Sequence, residues 1–348
     1  MRVVVLGASG FVGRHVLNAF KAAGHEVTAL VRPTSDRSNL GDVRVVEGDV
    51  LRPETLRPAF RGQDVVVHSA GQMALWTKED QLLYDVNVFG TRNVVEACLA
   101  VGVGRLVYTG SVGIYGGTHE PIPVNEDGSR DVARFHSFHV TSMCLAQAEV
   151  YRGMSRGLDA VMIHPSFCFG EGDRHFHSSW AIVGLACLRV PFVPPGGLNL
   201  VDVLDVARAH LLAAEMAPPG GNYLVGGENL TNAAFADMLA EVLDLRSWRL
   251  PMTRSGLRRF GEVAEWIAKV RGVDRGGYVT LNRAMGKAMG LYWFFDDTKA
   301  RRELGHHPTP VRPAIERQVA WLQAEGLFPG SGFGVRDFYD AFLGGKSR

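Results

Sequence analysis

The sequence predicts an α/β fold: a doubly wound parallel sheet joined to a smaller, mainly helical C-terminal lobe. Three observations carry that expectation. Short β-branched runs alternate with helical periodicity up to about residue 170. The first run ends in a glycine loop, GASGFVG at residues 7–13, set between strand and helix. Beyond about residue 170 the alternation breaks at VPFVPPGG, a proline and glycine turn region.

VVVLG is a continuous β-branched run, as expected of a strand buried on both faces. In FVGRHVLNAFKAAG, Val12, Val16, Leu17 and Phe20 fall at helical spacing and Gly24 marks the stop. HEVTALVR and VRVVEGD read as the second and third strands, PETLRPAFRG as a short helix and DVVVHSAG as the fourth strand. Residues 79–102 suit a longer helix with Val94, Val95 and Cys98 on one side. RLVYTGS is a fifth strand, residues 137–156 a helix and DAVMIHPS a sixth strand. Further on, LVDVLDVARAHLLAAEMA reads as a short strand feeding a helix, and GNYLVGG as a strand. TNAAFADMLAEVLD is a helix with a threonine at its cap position. Residues 254–290 are basic and amphipathic, with a helical pattern; DTKARRELG and RPAIERQVAWLQAEG read as two more helices.

Composition narrows the function classes. The 348 residues are 46% hydrophobic and 21% charged, an ordinary globular balance. A formal net charge of +1 offers no global field for nucleic acid or an anionic membrane. Cys98, Cys144, Cys168 and Cys187 form no CxxC pair and read as buried free thiols of a reducing cytoplasm. The N-terminal apolar run is too short for a signal peptide, and no apolar stretch reaches membrane-spanning length. The expectation is a cytoplasmic protein without nucleic-acid or membrane partners.

Gly7, Gly10 and Gly13, with Ser9, Phe11 and Val12 between them, lie where the first strand meets the first helix. Glycine there permits a tight turn and lets the backbone approach a pyrophosphate, while the helix N-terminus supplies free N–H groups. Strand, loop, helix and next strand follow in register, which favours a dinucleotide site over an ordinary turn. The second strand ends in ALVRP, with Arg32 where an NAD site would place a carboxylate. Arg32 can pair with a 2′-phosphate, so NADP is favoured over NAD.

Together with that loop, the segments GDV (48–50), HSAG (68–71), NVFGTRNVVEAC, VYTGSVGIYG, HPSFCFGEGD, LVDVLDVARAHLLA and FFDDTKARRELG resemble the extended short-chain dehydrogenase/reductase family. Within it the sequence is most similar to dihydroflavonol reductases, 3β-hydroxysteroid dehydrogenases and nucleotide-sugar epimerases. The resemblance spans roughly residues 1 to 325. It implies an NAD(P)-binding Rossmann domain over 1–170 and a substrate lobe over 171–330, with some late segments returning to the first sheet. A C-terminal tail would occupy 331–348. By resemblance, Asp49 and Val50 meet the adenine, Ser69, Ala70 and Gly71 lie beneath the adenosine, and Thr109 and Pro165 flank the cofactor. Ser111 falls at the family's catalytic Ser or Thr position, and His164 stands where arginine is usual. A homodimer is the assembly the resemblance suggests.

The family completes its chemistry with a Tyr-x-x-x-Lys pair on the helix after the fifth strand. The aligned stretch is FHVTS, with Phe138 at the tyrosine position and Ser142 at the lysine position. Phenylalanine has no hydroxyl to donate, and serine has no charge to shift a pKa. Ser111, Tyr115 and His139 are the candidate catalytic residues that remain, with His136, His175 and His177 nearby in sequence. His175 and His177, with no nearby cysteine, make too weak a set for a metal. Phe135, Phe138, Phe167, Phe169, Phe176 and Trp180 suit an apolar substrate, although core packing would also account for them. Arg174, Arg189 and Arg208 are the cations a sugar diphosphate would need, and nothing singles them out. The expected function is NADP-dependent reduction of a carbonyl or conjugated acceptor in a lipophilic small molecule, with a non-standard proton donor. The alternative is a catalytically decayed dinucleotide sensor or partner protein.

Overall fold

The computed structural model describes residues 1–73, 80–128, 137–188, 192–245, 250–270 and 288–329. Seven strands form the main sheet: β1 (Arg2–Leu6), β2 (Glu26–Val31), β3 (Arg44–Glu47), β4 (Val65–His68), β5 (Arg105–Thr109), β6 (Ala160–Pro165) and β10 (Asn222–Val225). Their order is β10-β6-β5-β4-β1-β2-β3, and every pairing is parallel. The chain leaves β1 toward β2 on one side and reaches β4 on the other. That reversal opens a crevice at the carboxyl ends of β1 and β4, where open α/β sheets bind their ligands.

Successive side chains of a strand point to opposite faces, so each strand feeds two cores. Val3, Val5, Ala29, Val67, Val107 and Ile163 pack with helices α1 (Phe11–Ala22) and α7 (Val203–Met216). Val4, Leu6, Leu30, Val66, Leu106 and Met162 pack on the other face with α2 (Pro53–Phe60), α4 (Gly90–Val101) and α5 (Phe138–Met154). Sheets covered on both faces need apolar residues at every strand position, which is why these strands read as unbroken Val/Leu/Ile runs.

The lobe is built on a smaller sheet of β7 (Phe167–Phe169), β9 (Gly197–Asp202), β11 (Glu228–Thr231) and β13 (Tyr292–Trp293). A pair of two-residue strands, β8 (Phe192–Val193) and β12 (Leu250–Pro251), stands apart. The lobe also holds α6 (Ser179–Leu188), α8 (Asn232–Val242), α9 (Arg254–Val270) and α11 (Val311–Ala324), while α10 (Thr298–Leu304) packs on the main sheet against β10 and α7. Phe169, Ile182, Leu200, Phe235, Ile315 and Leu322 share the lobe core. The threonine cap is present: Thr231 Oγ1 accepts from the Ala234 N–H at 3.1 Å. Asp202 caps α7 by accepting from the Leu204 N–H at 2.9 Å. Of the helical expectation for 254–290, residues 254–270 form α9 and 271–287 lie outside the described residues, as does the tail from 330 onward.

Before α4 the helix is not regular. A short α3 (Asp80–Leu83) leads into a π-turn over Tyr84–Phe89. Such turns occur disproportionately at functional sites. Among the described residues, no helix is long and apolar enough to cross a membrane.

Candidate active site

A cavity of about 1110 Å³ runs from the glycine loop, across the ends of β1, β2, β4, β5 and β6, into the lobe. Single-ligand pockets typically hold roughly 300–1,000 Å³, so this one has room for more than one small molecule. The loop is shaped as a cradle. Gly7 has φ +76°, and a Cβ there would lie 2.7 Å from the Ser69 carbonyl oxygen. A Cβ on Gly13 would lie 2.1 Å from the Gly7 carbonyl oxygen. The Gly10 N–H closes the turn onto the Gly7 carbonyl at 2.9 Å, and α1 starts with the Arg14 N–H on the Gly10 carbonyl. The first-turn amides of α1 therefore face a backbone that only glycine permits, which fits a pyrophosphate.

The structure brings together all the cofactor residues expected from the sequence. Gly7, Ser9, Gly10, Phe11, Val12 and Gly13 line one end. Arg32, Asp49, Val50, Ser69, Ala70, Gly71, Thr109 and Pro165 line the rest of the strand ends. Ser35, which the sequence did not single out, also lines the cavity in a turn closed by its N–H on the Arg32 carbonyl at 3.0 Å. Arg32 is the one Lys or Arg among the described residues lining the cavity. Neither Arg174 nor Arg208 reaches it: they pair with Glu325 and Asp205. Arg189 lies outside the described residues, with Phe135 and His136.

Ser111 lines the cavity after β5. Its Oγ accepts from the Gly113 N–H at 3.2 Å, capping the 3₁₀ turn Val112–Tyr115. With the oxygen used as acceptor, the O–H is left to donate. Tyr115 corrects the sequence expectation. Its side chain turns away from the cavity into a core with Leu224 and Trp293, where its hydroxyl meets Asn222 and its ring packs edge-on to His164.

The altered Tyr-x-x-x-Lys site needs a second correction. Phe138 is the first residue of α5, is 56% exposed and does not line the cavity. Ser142 is fully buried and also lies off the cavity: its hydroxyl donates to the His139 carbonyl and accepts from Asn87 Nδ2 at 2.9 Å. The residues four apart that face the cavity are His139 and Met143, one position further on. Ser137 caps the start of α5, its Oγ accepting from the Val140 N–H. With Phe138 turned to solvent, the helical repeat brings 139 and 143 inward. In either register no phenol and no ammonium stands there.

The backbone beside His139 is tied down, its carbonyl accepting from the Ser142 hydroxyl. Asn87, placed by the π-turn, donates to Ser142 and to the Gln72 carbonyl, and its Oδ1 accepts from the Gln72 N–H at 2.8 Å. A hydrogen bond to the Gln72 main chain favours the protonated His139 ring, but burial outweighs it and lowers the pKa to about 4. His175 and His177 line the cavity opposite, with ring centroids 6.0 Å apart. Burial also lowers the His177 pKa, against the pull of Asp173. Asn87 and Gln72 carried no sequence signal beyond the asparagine of NVFGTRNVVEAC, because polar residues at a helix and strand end read as surface.

The lobe end of the cavity is mainly apolar, with His175, His177, Ser178 and Asn232 as its polar lining. Phe167, Phe169 and Trp180 line it, joined by Phe235, Leu239 and Trp293; Phe176 packs in the lobe core instead.

The chain matches the NAD dependent epimerase/dehydratase family over residues 3–226. It is 28% identical to sterol demethylase protein B of Methylococcus capsulatus, covering 94% of this chain and 100% of that protein. It is 26% identical to 2-alkyl-3-oxoalkanoate reductase of Stenotrophomonas maltophilia, covering 93% and 99%. The crystal structure of gox2253 superposes with a TM-score of 0.82 at 31% identity, covering 94% of this chain and 99% of that one. A glycine cradle at the sheet's switch point and a family match over most of the chain lead to one conclusion: the protein belongs to the NAD dependent epimerase/dehydratase family of extended short-chain dehydrogenases/reductases.

Proposed function

We propose that the protein is an NADP-linked oxidoreductase acting on a carbonyl or conjugated acceptor, or the matching alcohol, of a lipophilic small molecule. The observation that carries this is the charge distribution along the cavity. Its one described cation, Arg32, stands at the end of β2, and the lobe end is walled by aromatic and aliphatic side chains. A sugar diphosphate would need cations at the lobe end. A sterol-like or long-chain oxo compound needs only apolar walls and a few hydrogen bonds. Two relatives with names of that kind, a sterol demethylase protein and an oxoalkanoate reductase, support the substrate class.

Gly7, Gly10, Gly13 and the first turn of α1 would hold the pyrophosphate, and Arg32 with Ser35 the 2′-phosphate. When bound, the dinucleotide supplies or accepts hydride at its nicotinamide ring. Ser111 donates its O–H to the substrate oxygen, and the lobe walls exclude water. The protein works as a soluble cytoplasmic enzyme, and we extend the proposal to a homodimer. NADPH oxidation against a panel of long-chain and steroid ketones tests the assignment. Turnover that falls at least tenfold in Ser111→Ala is the expected result. Tight NADPH binding without turnover of any ketone, or of any matching alcohol with NADP⁺, would make the protein a dinucleotide sensor instead.

A further inference from the structure

We infer that His177, on the loop before α6, selects substrates that carry a second, uncharged oxygen, by hydrogen-bonding that oxygen at the lobe end of the cavity. This rests on the oxidoreductase proposal and deepens it by naming a feature of the substrate. Its neighbours in the polar lining are already engaged. Ser178 Oγ donates to Asp173 at 3.3 Å and accepts from Gln318 Nε2 at 3.1 Å. Asn232 Nδ2 lies on the carbonyls of Pro194, Pro195 and Met289. His177 is half-buried and spends only its main-chain N–H, on Asp173 Oδ1 at 2.8 Å. Among the described residues neither of its ring nitrogens has a hydrogen-bond partner. Unlike His139 Nδ1, neither is closed off from solvent. A neutral imidazole carries one donor and one acceptor. When a lipophilic ligand fills this end, leaving both unmet costs free energy that a ligand oxygen offsets.

The loop holds the ring in place. Asp173 is fully buried, and its carboxylate accepts from the N–H groups of His177, Ser178 and Ser179 at 2.8, 2.8 and 2.9 Å. Gln318 of α11 donates to the Ser178 and Ser179 hydroxyls and accepts from the Gly170 N–H, which ties the loop at both ends. Between those ties Phe176 takes φ +54°, uncommon for a bulky side chain, and packs into the lobe core. His175 and His177 on either side of it line the cavity. Asp173 and Gln318 are thus positioning residues for His177.

An uncharged oxygen fits this place better than an anion. Asp173 puts a carboxylate under the same turn and takes N–H groups at the start of α6. No lysine or arginine among the described residues lines that end. Burial lowers the His177 pKa, so the ring is neutral at neutral pH. A hydroxyl donates and accepts, and therefore suits either ring nitrogen.

The probes are 2-undecanone and its monohydroxy derivatives, with the hydroxyl moved along the chain from carbon 4 to carbon 11, reduced with NADPH. In the native protein at least one hydroxyketone should exceed 2-undecanone in kcat/KM by roughly tenfold. That preference should vanish in His177→Phe and survive in part in His177→Gln, which keeps a donor and an acceptor. A merely structural role would lower both ketones together and leave their ratio unchanged. A second readout needs no turnover. In protein labelled with ¹⁵N-histidine and loaded with NADP⁺, the preferred hydroxyketone should shift the His177 ring nitrogens more than 2-undecanone does, the signals being assigned by their loss in His177→Gln. Equal shifts, a preference retained in His177→Phe, or no preference for any hydroxyketone overturns the inference and leaves the oxidoreductase assignment standing. Native protein that binds NADPH yet turns over no ketone or alcohol overturns both.

Discussion

A Cβ on Gly13 would sit 2.1 Å from the Gly7 carbonyl oxygen, and one on Gly7 2.7 Å from that of Ser69. Both contacts are with backbone that cannot swing aside. Gly13→Ala is therefore expected to weaken NADPH binding at least tenfold while the far-UV circular dichroism stays native, read by titrating the nucleotide's fluorescence. Arg32 acts by charge. Arg32→Ala should weaken NADPH by about 1.5–3 kcal/mol, the usual value of a hydrogen bond to a charged group, and NADH hardly at all. Equal losses for the two coenzymes would remove the 2′-phosphate assignment. The glycines and Arg32 were legible in the sequence because a backbone requirement and a strand-end charge each leave a residue-type mark. Tyr115 and Phe138 were misread for a related reason: residue type says what a side chain can do, and only packing says where it points.

The elements behind the site are the π-turn Tyr84–Phe89 and the first turn of α5. Asn87 joins them by bonding to both Gln72 and Ser142 while 3% exposed. Asn87→Leu leaves the Gln72 N–H and C=O short of a partner, and each such orphan costs about 1–3 kcal/mol. A fall of that size in the urea unfolding free energy is expected, together with a rise in the His139 pKa as the segment over it loosens. Unchanged stability would mean that water replaces the clamp without loss. The six strands and the intervening helices up to residue 170 were legible, since two-face burial demands unbroken apolar runs. The register of α5 was not. A helix whose first aromatic residue faces solvent and whose buried face holds Ser142 gives no apolar stripe to count from.

At the scale of the whole molecule, burial drives His68, His139 and His210 to pKa values of about 4. In the unfolded chain each titrates near the ordinary 6.5. The folded state refuses protons that the unfolded state accepts between those values. Stability is thus complete above about pH 6.5 and is lost as pH falls toward 4, by on the order of 1.4 kcal/mol per histidine per pH unit. Urea midpoints at pH 7.5, 5.5 and 4.5 should fall steeply in that order, and a flat profile would contradict the burial of these rings. His210 sits between the Val206 carbonyl and Thr109 Oγ1, so the loss should spread from α7 to the strand end at the cavity. Long-range pairing was the part of the fold the sequence left open. That Asn222–Val225 joins β6 is decided by a crossover through α7, not by any local pattern.

Every functional statement depends on the cavity at the ends of β1, β2 and β4 holding a pyridine dinucleotide. Isothermal titration calorimetry of the native protein with NADP⁺ and then with NAD⁺ tests that most directly. Saturable binding of both, at one site per chain and at least tenfold tighter for NADP⁺, is the expected result. Folded protein that gives no heat with either coenzyme would contradict it.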